Sequence, residues 1–511
     1  MCDTQEHIGI GQNAAGYIPD LLRNISGAQG YDNFLNWISP ILQQDRPNFL
    51  KLSNGASVSY GDILGMAGDF FLKFEQLDGV DWSRNDDPDK TTHEEIDGIL
   101  REYHKKLDNL DYKVGRDARP GAHFFNKWFD AGRVMNLALH NFPHFGFDAL
   151  KQWLKYHNTA IATAIQGRSY YGNAAGYAQD LQVDPDPILV DAGWDTTADD
   201  YPLINNLIVA LKHNAFGDHF LSDLFSAGHM RVARRAMYDQ LHDDDGNQWV
   251  VPLDHIDGSL DVDLCSIVSG ISHDEDGKTG LWCNLAFGGV TLDGLSGLGG
   301  LTGNIGDFMA WGDGHLFDDP NQMTRDLAYY AVALSVRDVL IASVTGQDPT
   351  QYGGYWDPLG GSSGGAFASL RLVPRPYPPN TGWSPDQRQD DQGYKWNHYP
   401  LAMPNGDGAQ LEARFDAFKA AMQNADPTAP DEQNWFRKIK VSDPLQYIGL
   451  LGEYLSETVG TNLLPTANAD YYDLRSFATN GEPSWYGTPA GAWRDQEFAR
   501  LMHRYIAYKM A

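Results

Sequence analysis

The chain has 511 residues, more than one hydrophobic core usually supports, which predicts two domains or one large domain with an appendage. Hydrophobic residues at 42% and charged residues at 21% exclude wholesale disorder. A net charge of −30 argues against a broad nucleic-acid interface, while leaving room for a small phosphate-bearing substrate met through metal ions.

The N-terminal stretch MCDTQEHIGIG has neither a basic head nor an apolar run, so it does not read as a secretory signal. No apolar run reaches the roughly 18–20 residues that a bilayer span needs. The expectation is a soluble protein, either cytoplasmic, or exported by a route this N-terminus does not display, or seen in mature form.

Residues 1–345 read as mostly helical. Apolar residues recur at helical spacing in Ile63-Leu64-Met66-Ala67-Phe70-Phe71, Leu150-Trp153-Leu154-His157-Ile161, Leu203-Leu207-Leu211 and Leu327-Tyr330-Leu334. Residues 82–113 are highly charged and predict an exposed helix with flanking loops. The glycine-rich stretch 288–304 reads as a long loop between two strand-like runs, LWCNLAF and DFMAWGD. From about 346 the composition turns to Gly, Pro and aromatics, which predicts short strands, turns and a linker, with helical signals again at 409–424, 442–458 and 490–509. The fold class expected is mainly α: a helical domain over 1–345, then a C-terminal α+β or irregular region over 346–511 that covers or flanks a cleft. His398 there reads as part of a turn, and no metal ligand is expected beyond 346. Tyr355, Trp356 and Trp383 are available for packing or for lipid contact.

Three cysteines, Cys2, Cys265 and Cys283, cannot build a disulfide framework or a four-cysteine zinc site, although Cys265 and Cys283 can pair. Any metal must therefore be held by His and carboxylates. The segment HNAFGDHFLSDLFSAGH, His213 to His229, is the strongest candidate. His219 and Asp223 are four apart, which on a helix puts an imidazole and a carboxylate on one face a turn apart. Ala227-Gly228 lets the helix loosen, so that His229 can face a neighbouring position. His-x-x-x-Asp alone is usually structural. Set among Phe216, Phe220, Leu221, Leu224 and Phe225, however, these ionisable groups need partners, and a metal is an efficient one. His213 and Asp218 are candidates for orienting the ligands.

The pattern His-x-x-x-Asp-x-x-x-x-x-His resembles the central motif of the zinc-dependent phospholipase C and single-strand-specific nuclease superfamily. The likeness is closest to a longer-chain bacterial phospholipase C branch, where stretches similar to SYGDILGMAGDFF, NFPHF, DHFLSDLFSAGHMR and HDEDGKTGLWCN recur in this order. It spans residues 55–340 and says nothing of 346–511. The resemblance implies a cluster of two or three Zn2+ ions. One would be held by Asp69, His144, His219 and Asp223. Asp223 or Asp69 would bridge to a second, with His7 helping to hold it. A further ion would take His229, His273 and a carboxylate, Asp276 or Glu275. The chain departs from the superfamily in lacking a tryptophan at its N-terminus, and in placing Gly277 where a carboxylate four residues after His273 is usual.

The chemistry implied is phosphodiester hydrolysis, with metals clamping the phosphate oxygens and supplying hydroxide, and with Asp69 doubling as general base. The substrate implied is a glycerophospholipid, split into diacylglycerol and a phosphorylated head group during transient contact with a membrane surface. No nucleic-acid partner is expected, and no obligate protein partner can be inferred. Three alternatives remain: a nuclease or nucleotidase on the same scaffold, a non-catalytic metal-binding protein, and a serine hydrolase at Ser363 in Gly361-Ser362-Ser363-Gly364-Gly365. That last motif needs a strand before its serine, and Asp357-Pro358-Leu359-Gly360 reads as a turn.

Overall fold

The computed structural model describes residues 4–18, 50–79, 96–101, 141–169, 202–230, 280–285, 305–312, 314–349 and 367–376, with short pieces between them. The helices are α1 (Thr4–Ala14), α2 (Tyr60–Met66), α3 (Phe74–Asp78), α4 (Gly146–Ser169), α5 (Pro202–Asp223), α6 (Ala227–Met230) and α7 (Gln322–Thr345). The described part is thus mainly α, as composition and periodicity predict. No helix in it is long and apolar enough to cross a membrane.

Helix α5 is the axis of the bundle and packs against α1, α2, α4 and α7. Its apolar residues Leu207, Leu211, Phe216, Phe220 and Leu221 are buried, against Leu150, Trp153 and Ile161 of α4 and Leu327, Leu334 and Leu340 of α7. Burying one such side chain contributes roughly 1.5–3 kcal/mol. A partly buried ion pair adds a polar tie: Lys212 of α5 donates to Asp78 at the end of α3 at 2.6 Å, and Ser53 donates to the other oxygen of Asp78.

Local signals set the helix ends. Ser59 and Asp62 form a reciprocal capping box at the start of α2, Ser59 Oγ accepting from the Asp62 amide and Asp62 accepting from the Ser59 amide. The apolar spacing from Ile63 to Phe71 predicts one continuous helix, but α2 stops at Met66. Ala67 is extended, and Gly68 turns the chain with φ 70°, a left-handed conformation that favours glycine. Helix α1 crosses α2 at glycines: a side chain on Gly61 would meet the Ile8 carbonyl at 2.7 Å, and one on Gly65 would run into Ile8 and the Thr4 carbonyl.

The strands are short. β1 (Leu50–Lys51) and β2 (Ser57–Val58) form an antiparallel pair, as do β3 (Val250–Pro252) and β4 (Asp261–Asp263). The two runs flanking the glycine-rich stretch do become strands, β5 (Leu281–Leu285) and β6 (Phe308–Ala310), paired antiparallel with Leu281 opposite Ala310. The third strand of that sheet, β7 (Pro374–Pro376), pairs with the other edge of β5. Just before it, Phe367 sets its ring against Trp153 and His157, and Leu370 and Leu372 are buried. Residues 367–376 therefore share the core of the helices, across the boundary that composition suggests at 345. Cys283 on β5 is buried, its sulfur beside that of Met230. Cys265, His140, His242, His255, Glu275, the 288–304 loop, Ser363, Tyr355, Trp356, Trp383, His398 and the helical signals after 409 lie outside the described residues, as does most of 82–113.

Candidate metal centre

His219 and Asp223 stand on the last turn of α5, fully buried. The helix breaks after Asp223 and restarts at Ala227, which brings His229 back toward the same point. Asp69 comes from the turn made by Gly68. His144 comes from the single helical turn Phe142–His144, which holds Pro143 at its second position. His7 comes from α1. Six of the eight residues named from sequence thus meet in one pocket.

Asp223 is its hub. Oδ1 lies 3.4 Å from His7 Nε2 and 3.2 Å from His229 Nδ1. Oδ2 lies 2.9 Å from His144 Nδ1 and 3.5 Å from His219 Nε2. Despite this crowd, neither oxygen receives a hydrogen bond of good geometry, and the same holds for His7 Nε2 and Asp69 Oδ1.

Ring orientation is fixed from outside the pocket. His219 Nδ1 donates to the Leu64 carbonyl at 2.9 Å and His229 Nδ1 to the His144 carbonyl at 2.8 Å. The Ser222 hydroxyl donates to the His219 carbonyl, so it accepts from His7 Nδ1 at 2.7 Å. With the proton held on Nδ1 in each ring, Nε2 carries the lone pair, as imidazole ligands of metals require. His219 Nε2 and His144 Nδ1 stand 3.1 Å apart.

Electrostatics divide the cluster: His219 and Asp223 are shifted toward the forms that bind a metal, His7 and Asp69 away from them. Burial pushes the Asp223 carboxyl up, but the imidazoles of His229, His144 and His219 outweigh it and hold it well below the usual carboxylate range. Burial, reinforced by the charge of His7, keeps His219 well below the usual imidazole range. Burial also works against a charged His7, but Asp223, Asp69 and Glu6 leave its pKa raised. Burial lifts Asp69 to about 6, against the pull of His7, His144 and Thr4.

Three ligand groups can be drawn, each with donor atoms within 4.8 Å of one another: His7, His219 and Asp223; Asp69, His144 and His219; His144, Asp223 and His229. They share His144, His219 and Asp223, so they are neighbouring positions in one pocket. The buried His/Asp cluster could hold a metal ion, and the residues fit one: unbonded buried carboxylate oxygens, outward-locked imidazoles, and a wall without side chains. That wall is Gly68, where a Cβ would stand 2.5 Å from His219 Nε2 and from His144 Cε1. Gly68→Ala is expected to cost about 1–3 kcal/mol for the left-handed backbone alone. It should also push His144 out of the pocket and weaken metal binding, as a thermal melt paired with a zinc titration will show.

The grouping around His229 differs from the one expected. His273 is buried with its ring 4.9 Å from that of His229, and Asp276 is buried nearby in sequence, yet among the described residues neither joins a ligand group. Gly228 sits on the His273 ring and Phe145 stacks on His229 at 5.0 Å, while His144 and Asp223 are the neighbours that His229 meets at ligand distance. Asp218 and His213, read as orienting residues, face elsewhere. Asp218 accepts from Tyr60 and Ser335 at 2.6 Å, Trp153 at 3.0 Å and Asn214 at 3.1 Å. His213 lies against Phe74 and Tyr156.

Sequence reasoning missed Thr4, whose hydroxyl donates to Asp69 Oδ2 at 2.8 Å, as well as Ser222 and Gly68. Thr4 lies three residues before His7 and Ser222 three after His219, spacings that share a helix face. Compared with known proteins, the chain matches no family model, no curated protein and no solved structure.

Proposed function

We propose that this chain is a zinc-dependent phosphodiester hydrolase of the phospholipase C type, which releases diacylglycerol and a phosphorylated head group from glycerophospholipids. The observation that carries this reading is Asp223, a buried carboxylate with four imidazoles around it and no hydrogen bond. Nitrogen and oxygen donors in this mixture suit zinc. Zinc bound there would polarise phosphoryl oxygens and bring the pKa of water toward neutrality.

The protein's own groups then have distinct tasks. His7, His144, His219, His229 and Asp223 hold the pocket, their rings oriented by Leu64, His144 and Ser222. Asp69, ionised, accepts the proton of the attacking water. The order of the motifs along the chain supports a lipid substrate, and the charge of −30 disfavours a polyanionic nucleic acid. The test is diacylglycerol release from phosphatidylcholine vesicles by zinc-loaded protein, with single-stranded DNA as the competing substrate. Lipid hydrolysis that survives Ser363→Ala is expected. DNA cleavage without lipid hydrolysis would replace the lipid with a nucleic acid.

A further inference from the structure

We propose that Thr4 is a positioning residue that decides which oxygen of Asp69 serves the pocket. The inference rests on the metal-hydrolase reading above and adds to it a group outside every ligand set.

The two oxygens of Asp69 are treated differently. Oδ2 accepts the Thr4 hydroxyl at 2.8 Å. Oδ1 is buried and bonds nothing, while a carboxylate oxygen of Asp69 lies within 4.8 Å of ring nitrogens of His144 and His219. A carboxylate with both oxygens free can rotate about its last torsion, which is broad, and can grip a cation with either or both. With Oδ2 engaged by a hydroxyl, Oδ1 is the oxygen left wholly free to accept a proton from water or to bind a cation. Thr4 thereby keeps Asp69 in one orientation, with Oδ1 presented to the pocket.

Thr4 is itself held by something other than this bond. Its carbonyl and the Ile8 side chain lie against Gly65, so the close crossing of α1 and α2 fixes the backbone of residue 4. The side chain is buried, and its hydroxyl has been given a carboxylate rather than solvent. Removing the hydroxyl should therefore leave α1 in place and free only Asp69. Thr4→Val keeps shape and branching and deletes the donor, whereas Thr4→Ser keeps the donor.

The experiment measures zinc content, thermal melting, and steady-state hydrolysis of bis(4-nitrophenyl) phosphate for wild type, Thr4→Val and Thr4→Ser. Thr4→Val is expected to hold as much zinc as wild type and melt with it, with KM unchanged and kcat lower by about 10- to 100-fold. Thr4→Ser should restore kcat. Equal kcat in wild type and Thr4→Val overturns the inference, as does a Thr4→Ser as slow as Thr4→Val. Loss of zinc or of folding in Thr4→Val also overturns it, because the hydroxyl would then be part of the scaffold. A wild type that neither holds zinc nor cleaves the diester removes the underlying reading instead, and the inference with it.

Discussion

Asp223→Asn is expected to abolish zinc binding at the cluster and to lower phosphodiester hydrolysis by roughly a thousand-fold or more, since several kcal/mol of charge stabilisation depend on the metal and each 1.36 kcal/mol is tenfold. The substitution keeps the size of the side chain. It removes the one negative charge that His7, His144, His219 and His229 all face. The helices should survive, because the apolar core around α5 extends well beyond the cluster, into α4 and α7. Circular dichroism, zinc analysis and turnover of a soluble phosphodiester on the same preparation give the answer. Retained zinc and retained turnover in Asp223→Asn would remove Asp223 from the centre of the site. Loss of fold together with zinc would instead make the cluster a structural zinc site, in which metal binding contributes to folding.

The second large effect is expected one residue before His219. Asp218 is fully buried and accepts hydrogen bonds from Tyr60 on α2, Trp153 on α4, Asn214 on its own helix and Ser335 on α7. His157 extends the network through Asn214 at 2.6 Å. Asp218→Ala would leave these donors facing a hole, and unpaired buried polar groups cost about 1–3 kcal/mol each. The expected destabilisation is about 3–5 kcal/mol, comparable to breaking a buried ion pair. Burial raises the Asp218 pKa to about 7, against the pull of its hydrogen bonds from Ser335, Tyr60 and Trp153. The folded protein therefore keeps a proton that the unfolded chain gives up from about pH 4. Stability from this group is present in full below that pH and is lost as pH rises through about 7. Asp218→Asn cannot titrate and should lack this part of the slope. Urea unfolding of chelator-treated protein at pH 5 and pH 8 should show wild type losing more stability than Asp218→Asn. Parallel losses would contradict the assignment.

How much of this was legible beforehand depends on the range of the interaction. The spacing of His219 and Asp223 needs only one helix, and it predicts their shared face correctly. The helix does break before His229, but over Leu224–Ser226, just ahead of Ala227-Gly228, which begin α6. The runs around 281 and 308 pair because each alternates buried and partly buried residues. The apolar spacing of 63–71 misleads, since a left-handed Gly68 ends the helix that the pattern continues. That His7, Asp69 and His144 reach the same pocket came from resemblance, because no local rule brings residue 7 to residue 223. The roles of Thr4, Ser222 and the Leu64 carbonyl are set by how α1 and α2 pack on α5, which a pattern along the chain does not carry. The join between Phe367–Pro376 and the helical core is of the same kind: strand pairing with β5 overrides a change in composition.

The account stands on a metal in the pocket around Asp223. Elemental analysis of the purified full-length chain, with phosphodiester turnover followed before and after chelation, tests it most directly. The predicted result is two or three zinc ions per chain, turnover lost with chelator and regained with added zinc. A chain that carries no zinc and takes up none, or whose turnover is indifferent to chelator, would contradict it.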